Sequence, residues 1–290
     1  MEREQLCRAT SDWTITVSWR VVCGDASSDD TEAFGDVEME LIAFLVLIAL
    51  MFIFATINSS LGQGYGTLGT PILLLLGYGP KIVVPLILVS QAIAGITGTL
   101  CHNKLGNADF GGIKKPDTKK VCVIVLAGIM GVIVGASFGV KISKDLLMTF
   151  IGVSVTTMGI IILSGKVVTF TWRRLSIIGA ISATLKGIGG GSYGPVVAGG
   201  QSIIGVEPKR AVAITNFAEI MICAAGFVVW AMLSPMPPTD MMLAMCVGAG
   251  TAPVLGAYIT HRVPPKYFRK ILGAVILVLG IFCLFKILGL

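Results

Sequence analysis

Charge is scarce in this sequence: Asp, Glu, Lys and Arg make up 13% of its 290 residues, against roughly 25% in a soluble domain. That excludes an ordinary soluble globular protein. The chain has two histidines, no HExxH and no Ser/His/Asp arrangement, so a hydrolase working inside a membrane lacks its nucleophile, base or metal. Its seven cysteines show no CxxC or other ligand spacing, and no metal or cofactor is expected. No Walker A motif is present, because Gly165-Lys166 runs into Val167 and lacks a glycine five residues earlier. ATP-driven transport by this chain alone is thereby excluded. Residues 1–40 hold no apolar run of the 7–15 residues that a signal peptide needs.

Apolar residues are abundant, at 54%, and the few charges are unevenly placed. Residues 1–40 carry 10 acidic and 3 basic side chains, leaving 6 acidic and 19 basic for the rest. The basic residues fall in short gaps between apolar runs and form no continuous face, which favours a membrane over nucleic acid. The acidic head over 1–40 reads as disordered, and a true start at Met39 is an open alternative for it.

Six apolar stretches, near 82–100, 121–140, 146–164, 211–232, 241–260 and 270–288, approach the roughly 20 residues that cross about 30 Å of hydrocarbon. Two regions break this pattern. Residues 41–57 lead through a Gly-rich stretch to a short run at 71–78, and 174–186 lead likewise to 195–204. Each pair reads as a helical hairpin whose irregular tip is buried in the membrane.

The halves repeat. Leu61, Gly66 and Pro71 match Leu185, Gly190 and Pro195 at an offset of 124, while Pro80, Lys81, Val84 and Gly98 match Pro208, Lys209, Val212 and Gly226 at 128. The expected organisation is a head over 1–40, a first membrane repeat over 41–165 and a second over 166–290. Lys and Arg number 14 in the segments 101–120, 165–174, 205–210 and 261–270, and 3 in 79–81, 141–145 and 233–240. By the positive-inside rule the first group is cytoplasmic, the head is outside and the two repeats are inverted. The fold class expected is an all-α polytopic membrane protein of two inverted repeats, each a broken-helix hairpin plus three transmembrane helices. Secondary transporters are built this way, with the site where broken helices meet.

The breaks carry the candidate site. In the first, Gln63, Gly64, Tyr65, Gly66 and Thr67 precede Thr70-Pro71, which reads as a helix cap and first-turn proline. In the second, Gly189, Gly190, Gly191, Ser192 and Tyr193 precede Pro195 and follow Lys186. Glycines admit close backbone approach, and two helix N-termini facing a cavity suit a small anion. Tyr65 and Tyr193 either bond the ligand or pack within the hairpins. Lys186 and Glu219 are the charges placed well inside hydrocarbon, hence functional candidates: Lys186 for the anion, unless it snorkels to the surface, and Glu219 as proton-coupling group or as partner of Lys186. Asn216 shares the face of Glu219, and Gln91 is the repeat mate of Glu219, polar but uncharged. His102 and His261 read as interfacial, the stripe Met241, Met242 and Met245 as packing, and Gly131, Gly135 and Gly139 as a close helix contact.

The twin Gly-rich breaks, each closing on a proline and followed by a Pro-Lys start to the next span, together with Leu105–Phe110, resemble the sulfite exporter TauE/SafE family over about residues 40–290. The resemblance implies a cell-membrane permease, in the plasma or inner membrane, that exports small anions such as sulfite or organosulfonates. An uptake permease or channel for small carboxylates or other anions, and a non-transporting membrane assembly protein, are the alternatives. The expected partners are the lipid bilayer and the anion, with no nucleic acid and a homodimer left open.

Overall fold

The computed structural model describes residues 41–164 and 168–263, and positions 270, 271, 274, 275, 277, 278, 281, 282, 284 and 285. The head, and most of the stretch expected at 270–288, lie outside the described residues. The helices are α1 (Leu41–Leu61), α2 (Tyr65–Leu75), α3 (Pro80–Lys104), α4 (Pro116–Gly139) and α5 (Lys144–Leu163). They continue with α6 (Trp172–Gly189), α7 (Tyr193–Ile203), α8 (Pro208–Leu233), α9 (Thr239–Thr251) and α10 (Pro253–Arg262). No strand occurs among the described residues.

Six segments are long and apolar enough to cross a membrane: α1, α3, α4, α8, most of α5, and α9 and α10 taken together. Leu126, Met130, Met232 and Leu243 point outward from them, as side chains facing lipid do. Two features differ from expectation. The first arm of the first hairpin does not stop near residue 57: α1 continues to Leu61 and is itself a candidate span. The stretch 241–260 is interrupted at Ala252, where Pro253 begins α10, because a proline at N1 gives up no hydrogen bond. The 11-residue α2 and α7 extend only about 16 Å, half the hydrocarbon thickness.

Small residues set the helix contacts, since apolar side chains alone give no preference for protein over lipid. A Cβ at Gly131, Gly135 or Gly139 of α4 would run into the Ala180, Thr184 or Ile188 carbonyl of α6. Helices α3 and α8 cross at Gly98, where a Cβ would stand 2.8 Å from Asn216 Oδ1. Met241 and Met245 are core residues.

The end of α1 leaves carbonyls with no helical partner, and side chains from distant elements supply one. His102 Nε2 donates to the Ser59 carbonyl at 2.9 Å and Thr260 Oγ1 to that of Ser60 at 2.8 Å. His102 is thus fully buried and not interfacial: its other nitrogen accepts from Asn107 Nδ2 at 3.0 Å, which also donates to the Ala257 carbonyl. His261 is exposed, as expected. The loop that carries part of the family resemblance therefore ties α3 to α10 through Asn107, with Phe110 edge-on to Phe217 of α8 at 5.0 Å. On its exposed side Lys115 pairs with Asp109 at 2.7 Å, and that hydrogen bond, with one from the Gly111 N–H, holds the Asp109 carboxyl below its ordinary value.

Trp230 of α8 donates its indole N–H to the Gly187 carbonyl in the last turn of α6, at 2.8 Å. Trp230→Phe leaves that carbonyl unpaired and is expected to cost about 1–3 kcal/mol, read as a lower unfolding midpoint in detergent. An unchanged midpoint would show that the carbonyl has another partner.

Candidate functional site

The two breaks are built alike. In the first, Gly62 and Gly64 take positive φ (74° and 124°), turn the chain, and α2 begins at Tyr65. In the second, Gly190 (67°) and Ser192 (59°) do the same, and α7 begins at Tyr193. Ser192 is the one non-glycine with positive φ among the described residues, and its hydroxyl meets that of Ser154 in α5 at 2.8 Å.

This geometry corrects the reading of Thr70-Pro71 as a cap. Gly64 is the N-cap and Pro71 lies inside α2, because the glycine turn has already aligned the chain for a helix six residues earlier. Pro195 is the third residue of α7, among the first four whose N–H groups have no helical partner in any case. The repeat register is corrected too. Both short helices open on Tyr-Gly and are 11 residues long, and α1 and α6 end at Leu61 and Gly189, so a single offset of 128 relates these elements and the 124 match at Leu61, Gly66 and Pro71 does not hold.

In that register the breaks touch reciprocally. A Cβ at Gly66 would overlap the Gly190 carbonyl oxygen, and one at Gly194 would overlap that of Gly62. Gly66 and Gly194 are mates, and so are Gly62 and Gly190, so each half presents the same patch to the other.

Beside this crossing lies a narrow gap, too tight in this structure for a water molecule, lined by Asn58, Gly64, Gly66, Thr67, Gln91, Lys186, Gly190, Gly191, Ser192, Tyr193 and Gly194. Lys186 does not snorkel. It is 1% exposed, as is Glu219, with its ammonium 3.4 Å from Glu219 Oε1 and donating to Gln91 Oε1. Glu219 Oε1 also accepts from Gln91 Nε2 at 2.5 Å, and Oε2 from Asn58 Nδ2 at 3.2 Å. The Tyr193 ring centre lies 5.9 Å from the Lys186 nitrogen, within reach of a cation–π contact, and its buried hydroxyl has no hydrogen-bond partner among the described residues. Removing two charges from water costs several kcal/mol per ion, offset only when pairing and hydrogen bonds are good. The two amides supply the latter.

Eight of the residues expected at the site line the gap: Gly64, Gly66, Thr67, Lys186, Gly190, Gly191, Ser192 and Tyr193. Five do not. Tyr65 packs in the core with its hydroxyl on Ser90 Oγ at 2.7 Å, Gly189 lies under Leu147 of α5, and Asn216 is turned to Gly98 with its amide on the Val212 carbonyl. Gln63 and Thr70 are buried and do not border it. Asn58 and Gln91 were missed as site residues. The register shows why they belong: Asn58 is the mate of Lys186 as Gln91 is of Glu219, so the cluster is two equivalent pairs, neutral in the first half and charged in the second.

Comparison with known proteins agrees with this architecture. The profile of the family described as "Sulfite exporter TauE/SafE" matches residues 47–283. The "Probable membrane transporter protein YtnM" of Bacillus subtilis (strain 168) is 22% identical over 242 residues, covering 77% of each chain. No solved structure matches. With six candidate spans and a family profile running from the middle of α1 past α10, the chain is an integral cell-membrane protein and belongs to the sulfite exporter TauE/SafE family.

Proposed function

We propose that the protein is a secondary permease for small anions, with sulfite or an organosulfonate as substrate and export as its direction, and that the anion sits in the gap between the two breaks. The observation that carries this reading is Lys186, an ammonium held out of water beside the N-termini of α2 and α7. The first N–H groups of each helix lack helical partners and its dipole is positive there, which favours an oxyanion. The unpartnered Tyr193 hydroxyl is a further donor. Reciprocal contact of the breaks, together with the skew of basic residues, supports two inverted halves that rock about the site to expose it alternately. The family description supports sulfite and export, and the name of the Bacillus relative supports transport.

The test is counterflow of radiolabelled sulfite into proteoliposomes preloaded with sulfite, sulfoacetate or acetate. Sulfite and sulfoacetate are expected to drive counterflow and acetate to be weak. Flux no greater than in protein-free liposomes, or a preference for acetate, would overturn the reading.

A further inference from the structure

The donors that line the gap already hold an anion, and it belongs to the protein. Asn58, Gln91 and Lys186 border the gap, and all three direct N–H groups at the two carboxylate oxygens of Glu219. A carboxylate and a small oxyanion make the same demand on these donors. With Glu219 ionised, an incoming anion would place a second negative charge against one ammonium where water is excluded, a deficit of the kind buried sites do not tolerate. The charged and titratable groups facing Glu219 are few. Lys186 approaches from α6 and Tyr193 from α7, and Cys223 lies one turn along α8; the neighbours from α1 and α3 are the neutral Asn58 and Gln91. A phenol and a thiol are ordinarily neutral at physiological pH, so among the described residues no second cation faces Glu219 to balance a second anion.

Resting on the anion reading of this site, we infer that the substrate and the ionised Glu219 carboxylate are alternative counter-ions of Lys186, sharing Asn58 and Gln91 as ligands, so that each anion binds together with one proton on Glu219 and leaves with it. The balance is simple. Empty, the site holds one ammonium and one carboxylate. Loaded with a monoanion, it holds the ammonium, a neutral carboxylic acid and the substrate. Its net charge is zero in both states. Transport of a monoanion is then electroneutral proton symport, driven by the anion's own gradient and by the pH gradient and indifferent to membrane potential. Outward flux requires the product of anion and proton concentrations to be higher inside.

The test uses proteoliposomes of the full chain and radiolabelled methanesulfonate, which is fully ionised at working pH, so every proton counted belongs to the protein. With potassium and valinomycin clamping the potential at zero and the outside one pH unit more acidic, methanesulfonate is expected to accumulate about tenfold. An imposed potassium diffusion potential without a pH gradient should produce no accumulation. In purified protein, methanesulfonate binding should weaken as pH rises through the ionisation of Glu219, whereas in Glu219→Gln, whose amide keeps the shape but cannot titrate, affinity should not vary with pH. Exchange that follows the potential and ignores the pH gradient would overturn the inference while leaving the anion reading intact. Absence of methanesulfonate and sulfite exchange by the wild-type protein would overturn both.

Discussion

Lys186→Met is expected to cut anion transport by about two orders of magnitude. Hydrogen bonds to a charged group contribute about 1.5–3 kcal/mol, and 2.8 kcal/mol is a hundredfold in affinity. Methionine keeps the apolar stem and its packing. The single variant also leaves Glu219 without its counter-ion, and a buried charge stripped of its partner costs about 3–5 kcal/mol unless the group takes up a proton. The double variant Lys186→Met/Glu219→Gln removes both charges and separates the two effects. Its unfolding midpoint should lie above that of the single variant, with transport in both reduced by about two orders of magnitude or more. Normal transport by well-folded Lys186→Met would place the anion elsewhere.

Gly66→Ala and Gly194→Ala are expected to have the second largest effect, each abolishing transport and lowering stability by about 2–3 kcal/mol or more. In both, the new methyl would overlap a backbone carbonyl of the opposite break, and a carbonyl that closes a turn cannot swing aside as a side-chain end can. The two halves should respond alike, because the contact is reciprocal. Gly79→Ala is the control: a Cβ there meets nothing within 4 Å, and its effect should stay within about 0.5 kcal/mol. Unfolding midpoints and sulfite counterflow check the set. A Gly66→Ala protein as stable and active as the wild type would mean that the breaks do not cross as described.

Five of the six expected spans, the two breaks and the two buried charges were legible in the sequence because each is a local signal: long apolar runs, glycine clusters, and single charges where hydrocarbon penalises them. Lys186 and Glu219 could be named from position alone, with partnership as one of two readings of Glu219, but their approach to 3.4 Å and the two amides that join them could not, because α6, α8, α1 and α3 meet only through the tertiary fold. The start of α2 was misplaced because Pro71 is conspicuous, whereas the turn at Gly64 depends on backbone angles that composition does not fix. That error carried the repeat register with it. Read at 128 throughout, Thr56, Gly62, Tyr65, Gly66 and Gly77 meet Thr184, Gly190, Tyr193, Gly194 and Gly205, and Asn58 falls opposite Lys186. His102 eluded the sequence for a different reason: the orphan carbonyl it satisfies belongs to Ser59, 43 residues away.

Saturable binding of radiolabelled sulfite to the purified protein, wild type against Lys186→Met/Glu219→Gln, tests most directly whether an anion seat exists at Lys186, because the double variant leaves no buried charge unpaired. Saturable binding by the wild type and none by the double variant, with comparable unfolding midpoints, is the expected result. Equal affinity in the two proteins would contradict it and remove Lys186 from the site.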